Sequence, residues 1–261
     1  MKPIYRNLQR SFLGIVLLLL LMGAGCEFLP SDQHVRRTLF IGVDASGSFK
    51  HSGYYDNALR FLSHYIYGHL NEVGGLGKPQ ALFVGSVGGK KHDEPKTFHP
   101  IHDFKGKTID QIENDLRTWF TPDDTLTDFN SFFEEVARIT KERNLILAPI
   151  TMMVVSDGIP DFQKTSTGKG VKKDPYTQIN LKPLEYLSRN ITLRLVYVSP
   201  TVGKNWRTQV PRQRVQLWTV DAEIMVRWPD YIKEGVDLAR QDQFWEWLKD
   251  NVDFKVRAGR V

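Results

Sequence analysis

Thr38-Leu-Phe-Ile-Gly-Val-Asp44-Ala-Ser46-Gly-Ser48 is the stretch from which the rest of the chain is read. An apolar run of this length, closed by small and polar residues, reads as a buried parallel strand that ends in a loop. Ligands of open α/β sheets collect just beyond the carboxyl ends of such strands. Asp44, Ser46 and Ser48 therefore bring one carboxylate and two hydroxyls, at alternate positions, to that place. All three donors are hard oxygens, a set that suits Mg²⁺, Mn²⁺ or Ca²⁺ rather than zinc or copper.

Two further segments share this character. Residues 148–155 form a second nearly unbroken apolar run, followed by Ser156-Asp157-Gly158-Ile159-Pro160-Asp161. Ahead of it, Thr127 precedes a helical stripe of Phe129, Phe133, Val136 and Thr140. Asp44-x-Ser46-x-Ser48, Thr127 and Ser156-Asp157-Gly158, in that order, resemble the metal-ion-dependent adhesion site of von Willebrand factor A domains. The resemblance runs from Thr38 to the C-terminus. It implies a doubly wound, mostly parallel α/β sheet with helices on both faces and one antiparallel edge strand.

It also implies roles. Ser46, Ser48 and Thr127 would be direct ligands of a divalent cation, expected to be Mg²⁺, with Mn²⁺ or Ca²⁺ as alternatives. Asp44 and Asp157 would hold its waters or take their place. One coordination position would remain for an Asp or Glu carboxylate of a partner protein. Thr125 competes with Thr127 for the threonine role. Each residue also has a plainer role: Asp44 in a turn and Thr127 as a helix N-cap.

The remaining periodicity agrees with alternating strands and helices. Residues 54–70 place Ala58, Leu62, Tyr65, Ile66 and His69 on one helical face. Residues 81–85 read as a strand, 88–91 as a turn and 96–104 as a returning edge strand, where Pro100 is tolerated. Ile109, Ile112, Leu116 and Trp119 mark a second helix, and 182–189 a further one. Strands are expected at 191–198 and 215–220, with 224–228 extending the latter or pairing with it. The segment around Trp206 reads as helical, and Phe244, Leu248 and Val252 stripe a last helix.

Upstream of this domain, residues 1–25 combine Lys2, Arg6 and Arg10 with an apolar run from Phe12 to Met22, then Gly23-Ala24-Gly25-Cys26. The run is short for a membrane span and is followed by small residues, as in a secretory signal. Cys26 is the chain's one cysteine. Its position resembles the lipobox of bacterial lipoproteins, although Gly23 stands where that motif usually has leucine. The resemblance implies cleavage before Cys26, its lipidation, and attachment to the bacterial cell envelope on the periplasmic or extracellular face. The plainer reading is an uncleaved signal anchor. Residues 26–37 then form a tether, reaching about 35 Å if extended, and 38–261 the domain.

Several function classes are disfavoured. The formal charge is +5 over 261 residues, and part of it belongs to the acid-free first 25. No zinc-finger spacing or RNA-recognition motif accompanies it, so nucleic acid is not an expected partner. Gly85-x-x-Gly88-Gly89-Lys90 and Gly168-Lys169 lack P-loop spacing. His92, His99, His102 and Asp103 read as solvated loop residues before a transition-metal site. Lys164, Lys169, Lys172 and Lys173 form a basic loop, solvated or facing an acidic partner. No nucleophile or base accompanies the oxygen cluster, so a binding protein is expected and not an enzyme. A metal-dependent hydrolase using the same carboxylates, or a structural domain with an idle site, are the alternatives.

Overall fold

The computed structural model describes residues 37–91, 94–121, 124–162 and 174–253. The expectations for the signal segment, Cys26, the tether before Arg37, His92 and the basic residues 164–173 lie outside these.

In chain order the elements are β1 (Thr38–Val43), α1 (Gly47–His51), α2 (Tyr55–Leu70), β2 (Ala81–Ser86), β3 (Gly88–Gly89), β4 (Phe98–Pro100) and α3 (Ile109–Trp119). There follow β5 (Leu126–Thr127), α4 (Phe129–Glu142), β6 (Ile150–Val155), β7 (Ile191–Val198), α5 (Pro200–Gln209), β8 (Val215–Asp221), α6 (Ala222–Met225) and α7 (Asp242–Asn251). Six strands make one sheet in the order β4-β2-β1-β6-β7-β8. The pairs β1–β2, β1–β6, β6–β7 and β7–β8 are parallel, and β4 lies antiparallel on the edge. This is the doubly wound arrangement that the sequence led us to expect. Pro100 pairs with Phe83 on the edge strand, where a missing backbone N–H costs least.

Alternation along β1 explains why the sheet is covered on both sides. Leu39, Ile41 and Val43 join a core with α2, α3 and α7, whereas Phe40 joins one with α4 and α5. A strand buried on both faces has to be apolar throughout, and every residue of β1 is buried. Gly42 is the close-packed point: an added Cβ would lie 2.7 Å from Val87 and 2.9 Å from the Phe132 ring.

Three local expectations differ from the structure. Residues 182–189 are not a helix but successive i→i+3 turns, with Leu184 N–H bonding to Leu181 and Leu187 N–H to Leu184. Winding at three residues per turn keeps Leu181, Leu184 and Leu187 all buried. Residues 224–228 neither extend β8 nor pair with it. The chain turns into α6 and a 3₁₀ turn at Trp228–Tyr231, because Trp228 is drawn inward to donate its indole N–H to Asn57 at 3.0 Å. Finally, the turn expected at 88–91 includes β3, which pairs antiparallel with β5.

Candidate metal centre

Asp44 leaves the end of β1 with its backbone N–H bonded to Val155 of β6 at 3.0 Å. That bond places its side chain between the two central strands, where it is 0% exposed. Its Oδ1 accepts from the Ser46 N–H at 2.9 Å, and its Oδ2 accepts from the Ser156 hydroxyl at 2.5 Å. Ser46 N-caps α1 and its Oγ lies 3.1 Å from that of Ser48. Ser48 stands on the exposed side of that turn, where its hydroxyl helps to hold the Asp157 carboxyl down. The Thr127 hydroxyl lies 3.5 Å from both Asp44 oxygens.

The structure thus joins Asp44, Ser46, Ser48 and Thr127 in one chain of contacts, with Asp157 close enough to act on Asp44 electrostatically. The structure also places the two threonines apart. Thr125 Oγ1 bonds the Lys90 carbonyl at 3.3 Å, while Thr127 is fully buried against Asp44. One correction concerns Thr127: it does not open α4. The N-cap is Asp128, whose carboxylate accepts from Ser131 N–H at 3.1 Å. Thr127 is held instead as the last residue of β5, opposite Gly88. Its N–H donates to Asp161 Oδ2 at 3.1 Å, and the Asp161 N–H donates back to its carbonyl at 3.1 Å.

Ser156 and Asp161 are the site residues that the sequence reading passed over, though both stand in the quoted Ser-Asp-Gly-Ile-Pro-Asp run. Ser156 donates to Asp44 and accepts from the Gly158 N–H at 2.8 Å. It thereby ties the first carboxylate to the turn that carries the second. Gly158 takes a left-handed backbone, φ 75°, and an added Cβ would lie 2.8 Å from Val198. Its carbonyl accepts from the buried Trp206 indole at 2.7 Å. A cleft of ≈ 300 Å³ opens beside Asp157 and is lined by Tyr54, Ile159, Tyr197 and Val202 among others.

Burial dominates the electrostatics of the site. Burial pushes Asp44 up to about 6, and the nearby Asp157 adds to that rise, while the Ser156 and Ser46 hydrogen bonds oppose it. Burial also raises Asp157; Asp161 reinforces this, and the Ile159 N–H and Ser48 counter it. Among the described residues no Lys, Arg or His forms an ion pair with either carboxylate. A buried carboxylate without a cation is costly. Five hard-oxygen side chains around that deficit fit Mg²⁺ or Mn²⁺ and do not fit a thiophilic metal. His99 and His102 are engaged elsewhere: His99 stacks on Trp119 at 3.7 Å and lies 3.4 Å from Asp103, which is 3.5 Å from His102.

No protein-family model and no curated protein matches this sequence. Solved structures that it is similar to include the manganese-loaded TRAP protein of Plasmodium vivax, at 16% identity and a TM-score of 0.44, over 74% of this chain and 71% of that one. The pilus adhesin SpaC of Lactobacillus rhamnosus GG aligns at 10% identity and a TM-score of 0.48, over 82% and 30%. Proximal thread matrix protein 1 from the mussel byssus, with a zinc-occupied MIDAS motif, aligns at 12% identity and 0.41, over 78% and 48%. The chain therefore spans less than half of the mussel protein and under a third of the pilus adhesin. These likenesses are too distant to assign a role to any residue here.

Proposed function

We propose that the domain binds a partner protein through a divalent cation, Mg²⁺ or Mn²⁺, held by Ser46, Ser48, Thr127, Asp44 and Asp157. One observation carries this reading: oxygen donors from three distant segments converge on a fully buried carboxylate that has no cationic partner among the described residues. The cation, when bound, would supply an electrophilic position for an incoming carboxylate. The chain's own residues do the rest. Ser156 and the Ser46 N–H orient Asp44. The β3–β5 ladder and Asp161 hold Thr127 toward it. Neutral hydroxyls, as direct ligands, leave the ion incompletely neutralised and so attractive to a partner's Asp or Glu. The adjoining cleft offers apolar surface for that partner's neighbouring residues.

The test is isothermal titration of Mn²⁺ and Mg²⁺ into wild type, Asp44→Ala and Ser46→Ala, followed by pull-downs from envelope extract with and without EDTA. Saturable heat lost in both variants, together with EDTA-sensitive capture, is expected. Absence of heat from the wild type would overturn metal binding. Heat without EDTA-sensitive capture would leave a metal-stabilised structural domain.

Cys26 belongs to the same proposal as the lipid-bearing residue that attaches the domain to the bacterial envelope. Its support is the order of basic residues, apolar run, small residues and cysteine in the sequence. Mass spectrometry of membrane-extracted protein is expected to find the chain beginning at an acylated Cys26. An unmodified Cys26 still joined to Met1 would refute it.

A further inference from the structure

The loops that enter β6, β7 and β8 lie side by side at the sheet edge opposite the candidate metal centre. Leu147 N–H bonds the Leu187 carbonyl at 2.9 Å, and Ile150 N–H bonds that of Asn190 at 3.0 Å. Glu185 is buried, accepts from the Gln213 N–H at 2.8 Å and also accepts from the Arg214 N–H. Three connections are thereby fused into one surface. Arg37, where the described chain begins, is at the same edge: its carbonyl accepts from Gln80 N–H, and Thr38 N–H bonds Pro149.

This surface has an unusual composition. Leu147 is 77% exposed, Tyr186 74% and Ile146, beside Leu147, 42%, so that apolar and aromatic surface is grouped here. Leu147 moreover holds a left-handed backbone, φ 75°, uncommon for a leucine. Around them stand the exposed Arg143, Arg189, Arg212 and Arg214, with Arg214 over the Tyr186 ring at 5.4 Å. The acids of these loops do not balance them. Glu142 is ion-paired to Arg138, and Glu185 is turned inward on backbone N–H groups.

We infer that this edge docks on an anionic lipid bilayer, with Leu147 and Tyr186 in the interfacial layer and the arginines against lipid headgroups. Apolar and aromatic tips among arginines match the chemistry of that interface. The point of chain entry selects a membrane over other acidic partners, since Arg37 is eleven positions from Cys26. The six residues of β6 separate this edge from Ser156 by about 20 Å. Docking therefore turns the metal centre away from the membrane and toward a partner. The inference takes from the functional reading only that the chain is attached to a membrane.

The experiment uses the full chain reconstituted into vesicles of phosphatidylcholine, alone or mixed with phosphatidylglycerol, that carry a lipid-borne nitroxide quencher. A fluorophore is placed on Leu147→Cys, on Tyr186→Cys, or at the opposite end of the sheet on Ile224→Cys. Quenching at 147 and 186 but not 224, seen only with phosphatidylglycerol and relieved by high salt, is the expected result. Each arginine near a charged surface is worth roughly fivefold in partition. Replacing Arg143, Arg189, Arg212 and Arg214 by Gln should therefore abolish the preference for anionic lipid. Should that variant unfold, Leu147→Asp, a change at an exposed site, should still weaken quenching at 186. Equal quenching at all three positions overturns the inference. So does indifference to phosphatidylglycerol, or quenching protection that follows protein density, which would mean that a second copy covers the edge. Mass spectrometry of the same sample reports Cys26 separately, so a failed anchor and a failed edge are told apart.

Discussion

Asp44 is the residue on which the site's energetics turn. Its carboxyl, raised by burial from 3.8 to about 6, binds a proton more tightly in the folded chain than in the unfolded one. Its contribution to stability is therefore fully present below about pH 4, is lost as pH rises through about 6, and stays lost above. The difference is on the order of 3 kcal/mol. Chemical denaturation of metal-free wild type and Asp44→Asn across this range should show the loss in wild type and its absence in the variant. Asp44→Asn should also no longer respond to Mg²⁺. Ser156 acts through the same carboxylate. Ser156→Ala removes the donor to Oδ2 and should cost about 1–3 kcal/mol above pH 6, with a smaller cost once Asp44 is protonated. The motif Asp-x-Ser-x-Ser was legible because its donors sit two residues apart in one loop. Ser156 was passed over because its role is a contact with |i−j| of 112, which no local spacing signals.

At the scale of elements, the turn after β6 has to reverse the chain within the space left by Val198, Val202 and Leu195. Only glycine accepts both the left-handed backbone and that crowding. Gly158→Ala should lower unfolding free energy by on the order of 3 kcal/mol, combining backbone strain with overpacking. It should also weaken Mn²⁺ binding in titration by displacing Asp157. The helices and central strands were readable from periodicity because each presents a regular apolar face. The expected helix at 182–189 is absent because spacing of three, as in Leu181, Leu184 and Leu187, also fits successive 3₁₀-like turns, and the buried Glu185 holds the chain in the latter. The β3–β5 pair was unreadable, since two residues carry no period, yet it holds Thr127 in place.

On the scale of the whole molecule, the chain just past the last helix is tied to the sheet by an ion pair between Arg194 of β7 and Asp253 at 3.3 Å, both largely buried. Removing one member of such a pair strands the other's charge. Asp253→Ala should therefore destabilise the domain by on the order of 3 kcal/mol, measured by urea unfolding, while leaving Mg²⁺ affinity near that of wild type. Metal binding should act on the entire cooperative unit. At a free concentration a hundredfold above Kd, Mg²⁺ should add about 2.7 kcal/mol to stability, seen as a rise in Tm that EDTA reverses.

The linear chain by itself determined the sheet's class, the order of its elements and the hard-oxygen identity of the candidate ligands, because apolar period and donor type are local properties. Tertiary structure alone decided that Asp44 is wholly buried, that Thr127 and not Thr125 faces it, and that arginines from three loops share one edge. Those outcomes depend on strand order and register, which bring together groups that are far apart in sequence, and on the field that burial creates around them.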